Sequence, residues 1–219
     1  MIYLSWAALC EGASDRAYFE VLIPRLMQDI SDTHGLGKTD IPGPVMMLTS
    51  RSIQQFAKEA CEAKDSFCLV FVHADTGGRN LEAAIEARSC AYCAAIKDLC
   101  AWPLVRCVVI MPRTETESWL LADPAAVTAA LGFTGSPAAI GLPANAREAE
   151  RLAQPKAALE TAVRAVRGKN RRFNVQQLFS LIAQKQSIAA LRHAPSFVDF
   201  ETSLHEALAD LRCVRALAI

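Results

Sequence analysis

FCLVFVHAD, residues 67–75, is apolar without a break from Phe67 to Val72 and then closes on a histidine and an aspartate. A strand with one wet face alternates apolar and polar residues. One covered on both faces does not, so this run predicts a strand inside a parallel sheet. Thr76-Gly77-Gly78 turns the chain, and helical spacing takes over from about 79 to 100.

The same hand-over recurs on either side. Residues 3–9 read as a buried strand that stops at Cys10-Glu11-Gly12, before a helix over 14–30. Ser14 has the hydroxyl of an N-cap, and Asp15 suits the positive end of the helix dipole. A Gly- and Pro-rich stretch (31–44) reads as a loop, VMMLT (45–49) as a short strand and 52–64 as a helix. PLVRCVVIMP (103–112) reads as another buried strand, and ETESWLLADPAAVTAALG (115–132) has helical spacing, with Trp119 expected in the core. This strand–helix alternation predicts an α/β fold with a parallel sheet flanked by helices. Beyond GFTGSPAAIGLPAN (132–145) strand signals stop. An α/β domain over 1–125 and a helical region over 126–219, able to pack with it as one unit, are therefore expected. The apolar stripe of the last helix is expected to pack on the chain's own core; its other use would be as a docking surface.

The composition, 52% hydrophobic and 21% charged with zero formal net charge, is that of an ordinary globular chain. No global field draws it to nucleic acid, so any attraction needs a local patch. No basic segment precedes Trp6–Cys10, and Glu11 interrupts that run too early for a signal peptide. No apolar run approaches the roughly 18–20 residues of a membrane span. The expected setting is the cytoplasm, with no membrane partner. There the eight cysteines are expected as thiols. Cys90-Ala-Tyr-Cys93, with Cys100 and Cys107, lacks a second CxxC or HxxxH pair, which favours buried thiols over zinc.

Three strand ends carry carboxylates: Glu11, Asp75, and Glu115 with Glu117. In a parallel sheet these ends share one edge. Carboxylates gathered there repel one another unless a cation or proton sits among them, and Mg²⁺ takes carboxylate and water oxygens. His73, two residues before Asp75, is expected to be a half-buried structural residue. In RAVRGKNRR (164–172), Arg164, Arg167, Lys169, Arg171 and Arg172 crowd together with no acid between them. Gly168 and Asn170 suggest that a helix ends inside this run. Such a patch suits the phosphates of DNA or RNA, although cations are also favoured at helix C-termini.

Taken in order, CEGASDRAYFEVLIPRL (10–26), LVFVHADTGG (69–78), PRTETESWLLAD (112–123), QPKAALE (154–160) and APSFVDFETSLHEAL (194–208) resemble the Toprim-like proteins of the DUF4276 family. These are relatives of the metal-binding domains of topoisomerases, primases and OLD-type nucleases. The resemblance implies a Toprim-like sheet in which Glu11 and an Asp-x-Asp beginning at Asp75 hold Mg²⁺, for which Mn²⁺ can substitute. The second aspartate falls at Gly77, which has no side chain to offer. The family acid just before W-L-L matches Glu117, with Glu115 a further candidate, and Lys156 matches a family lysine able to reach a phosphate. Gly12, Gly77, Gly78 and Arg113 would then face the phosphate. The implied activity is metal-dependent cleavage of nucleic acid, in antiphage defence beside an ATPase of the AAA or ABC type. With Gly77 in place of an acid, a non-catalytic binding or regulatory subunit is the alternative.

Overall fold

Side chains at alternating positions of two strands leave for opposite faces of one sheet, and both faces are dry. Trp6, Ala8, Leu69 and Phe71 join one buried apolar cluster; Ala7, Leu9, Val70 and Val72 join another. That double burial is why FCLVFVHAD carries no polar alternation. The computed structural model describes residues 1–50, 52–77, 89–168 and 174–216. Its strands are β1 (Ile2–Tyr3), β2 (Trp6–Leu9), β3 (Thr39–Asp40), β4 (Met46–Leu48), β5 (Leu69–His73) and β6 (Cys107–Ile110). Its longer helices are α1 (Ala13–His34), α2 (Ile53–Glu62) and α3 (Ala91–Cys100). There follow α4 (Glu117–Leu120), α5 (Pro124–Leu131), α6 (Ala146–Ala149), α7 (Pro155–Arg167), α8 (Val175–Lys185), α9 (Ile188–Leu191) and α10 (Pro195–Asp210).

The main sheet has the order β4-β2-β5-β6, and every pairing is parallel. From β2 the chain steps outward to β4, then returns past β2 to β5 and on to β6. The order therefore reverses between β2 and β5, the place where open α/β sheets leave a crevice beyond their strand ends. The expected α/β class, with a parallel sheet flanked by helices and helices toward the C-terminus, is the observed one.

Details differ from the sequence reading. The strand expected over 3–9 is two strands. β1 pairs with β3, and the chain then changes partner through Leu4 and Ser5, whose carbonyl accepts from the amides of Cys68 and Leu69. The loop expected over 31–44 is shorter, because α1 runs on to His34 and Thr39–Asp40 pairs with β1. Ser14 is not the N-cap of α1. Gly12 is, with extended backbone (φ −138°, ψ 168°) and no side-chain cap. The strand expected over 103–112 shortens to Cys107–Ile110 after a tight turn at Leu104–Arg106. The helix expected over 115–132 breaks at Asp123-Pro124, where the Asp123 carboxylate accepts from the Ala126 amide (3.1 Å) and proline opens α5.

The cysteines need the largest correction. Cys61–Cys100 and Cys93–Cys107 are disulfides. Cys93 and Cys100 lie two turns apart on one face of α3, and the fold sets that face against α2 and β6. Spacing along the chain does not contain that information.

The C-terminal helices close the other face of the sheet. Tyr18 of α1 donates to Gln186 Oε1 (2.7 Å), and one apolar cluster draws on side chains from both sides of residue 125. Trp119 is fully buried, stacked on Phe200 with ring centroids 5.6 Å apart, and its indole N–H donates to Ser196 Oγ (2.8 Å). The apolar positions of α10 (Phe197, Phe200, Leu204, Ala207 and Leu208) are buried in that cluster, which makes the stripe core. Among the described residues, no helix is long and apolar enough to cross a membrane. Gly78 and the first part of the helix expected over 79–100 lie outside the described residues, as do Lys169, Arg171 and Arg172.

Candidate functional site

The ends of β2, β5 and β6 meet on His73. Its ring is buried (2% exposed) against Phe19, at a centroid distance of 4.7 Å. The Glu11 amide donates to Nδ1 at 3.4 Å, which places the ring proton on Nε2. Nε2 faces Thr116 Oγ1 at 3.1 Å and Asp75 Oδ1 at 3.3 Å. One imidazole thus joins the residues that follow three strands, which corrects the half-buried histidine expected.

Three backbone amides hold the loops after β5 and β6 together. The Thr116 amide donates to Asp75 Oδ1 (3.0 Å), and the Thr114 amide donates to Thr76 Oγ1 (2.7 Å). The Gly77 amide returns a hydrogen bond to the Thr114 carbonyl (3.0 Å). Gly77 and Thr114 have positive φ, +60° and +72°. Glycine adopts this conformation without strain, whereas β-branched Thr114 does so at a cost of roughly 1–3 kcal/mol, which the hydrogen bonds offset.

Glu117 sits in the first turn of α4 and is 9% exposed. Burial pushes its carboxyl up to about 7, and the negative charges of Glu115, Asp15 and Asp75 push in the same direction. The carboxylates that press on one another here come from three loops or helix starts. Asp15, read from sequence only as a dipole partner, is one of them. Its Oδ2 lies so near Gly12 that a Cβ added there would come within 3.0 Å. Gly12 therefore leaves room for a buried carboxylate. The signal in the sequence was the Gly-x-x-Asp spacing, which returns a side chain from the first turn toward its own N-cap.

Glu11 lies on another side of the strand ends. With His73, Ser52, Gln54 and Tyr92 it lines a cleft of about 570 Å³ between the sheet edge and the helices α2 and α3. Glu115 Oε2 accepts from the Lys156 amide at the start of α7 (3.3 Å), where a helix N-terminus favours a carboxylate. Lys156 thus meets Glu115 through its backbone. Arg113 is exposed and, with Thr76, Thr114 and Arg151, lines a second cavity of about 260 Å³ at the same edge. Burial pushes the carboxyl of Glu150 up, while donation from the Ser196 amide (3.1 Å) and the charge of Arg113 oppose that rise. Arg164 and Arg167 occupy the last turn of α7, which ends at Gly168.

Among the described residues, no three His, Cys, Asp or Glu side chains converge closely enough to hold a metal ion by themselves. The donors near Glu117 are all oxygens, which suits a hard cation that keeps most of its water and takes one or two carboxylates. The arrangement fits Mg²⁺ in that water-rich form and does not fit a cage made by protein alone. No protein-family model, curated protein or solved structure matches the chain.

Proposed function

We propose that this chain is a Mg²⁺-dependent phosphodiesterase acting on nucleic acid, with its site at the C-terminal edge of the parallel sheet. The observation that carries the reading is the gathering of Asp75, Glu115, Glu117 and Asp15 beside the β2/β5 crevice. Asp75 and Glu117 would hold the ion, with water completing its shell. When bound, Mg²⁺ would neutralise phosphate charge and acidify a water molecule. Glu117 holds its proton in part near neutral pH and gives it up when a cation comes close. His73 and Thr116 fix the carboxylate of Asp75. Glu11, across the strand ends, faces the cleft where a substrate can enter. Gly77 lets backbone approach a phosphate, Arg113 and Lys156 supply positive charge at the edge, and Arg167, at the far end of α7, would extend it along a longer substrate.

DNA or RNA as substrate, an ATPase of the AAA or ABC type as partner, and a role in antiphage defence belong to the same proposal, on the strength of the Toprim-like resemblance. So does a cytoplasmic setting, and measuring how far Cys61–Cys100 and Cys93–Cys107 are oxidised in intact cells tests that part.

Gly77, where the family has a second aspartate, favours the second reading, a non-catalytic binding or regulatory subunit. Calorimetric titration with Mn²⁺ separates the two without knowledge of the substrate. The enzymatic reading expects binding in the wild-type chain and its loss in Glu117→Gln and Asp75→Asn. No binding at millimolar Mn²⁺ would remove that reading and leave the regulatory one.

A further inference from the structure

Three cysteines stand where two disulfide pairings compete. Cys93 and Cys107 are bonded and nearly buried, at 5% and 8% exposure. Cys90 is an exposed thiol with helical backbone (φ −62°, ψ −34°), one turn before Cys93. Residues three apart on a helix have Cα atoms about 5 Å apart, inside the Cα range of a disulfide, and Cβ atoms about 5–6 Å apart, so a bond between them needs this helical turn to give by about 1 Å. Cys90 and Cys107 also line one cavity of about 240 Å³, bounded across from them by Asp199, Phe200 and Ser203 of α10. Cys90 therefore stands one helical turn from one end of a nearly buried bond and shares a cavity with the residue at its other end.

We propose that Cys90, Cys93 and Cys107 form a thiol–disulfide exchange site, through which dithiols in solution reach the buried bond. Cys90 releases its proton to water, and its thiolate attacks Cys93 Sγ. The Cys90–Cys93 bond forms, the Cys93–Cys107 bond breaks, and Cys107 leaves as a thiolate that takes up a proton. No net oxidation occurs in this step. An external dithiol then attacks the exposed Cys90 sulfur and displaces Cys93 as a thiolate. Its second thiol closes on the first, releasing Cys90, so the dithiol is oxidised to a cyclic disulfide and the protein gains two thiols. Exchange also alters the scaffold. Cys93–Cys107 fastens α3 to β6, the strand that leads into Glu115 and Glu117, whereas Cys90–Cys93 lies within one segment and releases β6.

Cys61–Cys100, at the far end of α3, provides an internal control, because its sulfurs lie about two turns from this trio. The oxidised full chain is reduced with dithiothreitol at pH 8, quenched with acid at intervals, and each disulfide is followed by peptide mass spectrometry. Wild type is expected to lose Cys93–Cys107 about tenfold or more faster than C90S and C90A, because an adjacent thiol acts at high effective concentration. A peptide linked Cys90–Cys93 is expected to appear transiently, and Cys61–Cys100 is expected to be reduced at one rate in all three chains. Equal loss of Cys93–Cys107 in wild type and both variants overturns the proposal, as does its absence from the oxidised chain. A parallel change in both disulfides also overturns it, since that marks general loosening.

Discussion

Thr116 Oγ1 lies 3.1 Å from His73 Nε2, and the Thr116 amide donates to Asp75 Oδ1 at 3.0 Å. One threonine thus couples the loop after β6 to both the last residue of β5 and the carboxylate two positions beyond it. Thr116 is fully buried, so water cannot replace these contacts easily. The position of Asp75 at the sheet edge depends on a hydroxyl and an amide from a neighbouring strand end.

Thr116→Val keeps the volume and β-branching but removes the hydroxyl. The chain is expected to lose about 1–2 kcal/mol, the usual effect of leaving a buried partner unsatisfied. Thr116→Ser should lose less, because the hydroxyl returns. Urea denaturation of the three chains measures this; equal stability of wild type and Thr116→Val would show that the hydroxyl does not hold His73.

Glu117 makes stability depend on pH in a defined direction. Its carboxyl is raised from 4.5 to about 7 in the folded chain. The unfolded chain loses this proton near 4.5 and the folded chain keeps it until about 7, so the contribution is fully present below 4.5 and is lost as pH rises through 7. The full difference is of order 3 kcal/mol. Glu117→Gln imitates the protonated form. It should be more stable than wild type at pH 8 by about 1–3 kcal/mol and no more stable near pH 4.5. A variant less stable than wild type at pH 8 would show that the ionised carboxylate has a stabilising partner.

The strands were legible because each main-sheet strand is covered on both faces, so its sequence is an apolar run closed by Gly, Pro or a charge. The carboxylates at their ends were legible for the same reason, since they mark where burial stops. Leu4 and Ser5 hid the change of partner between β1 and β2, because any extended apolar residue fits either ladder. Ser14 has better capping chemistry than Gly12, yet the chain starts the helix at Gly12 and folds Asp15 back beside it. Asp15 is buried there within the charge field of Glu117, a tertiary relationship with no local signature. The disulfides stayed hidden because pairing is decided by which helix faces lie together.

Gly77 offers a gain-of-function test. Its φ is +60°, and a Cβ built there meets no atom of the described residues within 4 Å. Among those residues only the backbone itself resists. Aspartate enters the left-handed region more readily than most residues, so Gly77→Asp should cost about 1 kcal/mol in urea denaturation. It places an acid where the Toprim-like pattern has one, and Mn²⁺ affinity by calorimetry should rise on the order of tenfold, as an added carboxylate tightens a hard-cation site. Unchanged affinity, with the protein folded, would mean that residue 77 does not face the cation.

His205 tilts the stability curve the other way. It is 4% exposed on α10, its ring 5.1 Å from that of His34, and neither ring nitrogen has a hydrogen-bond partner among the described residues. Burial lowers its pKa and the neighbouring His34 adds to this, while Glu201 and Glu206 oppose them. The unfolded chain therefore takes up a proton near 6.5 that the folded chain refuses. Stability falls as pH drops through that value, and levels off once the folded chain also accepts the proton. His205→Leu removes both the proton acceptor and two unpaired polar atoms. It should stabilise the chain by about 1 kcal/mol at pH 7.5, where only the unpaired atoms matter. The gain should be larger at pH 5, where wild type also resists protonation. Paired urea curves at the two pH values decide this: destabilisation at both would show that the ring makes a hydrogen bond that leucine cannot, and an equal gain at both would show that His205 does not set the acid limb.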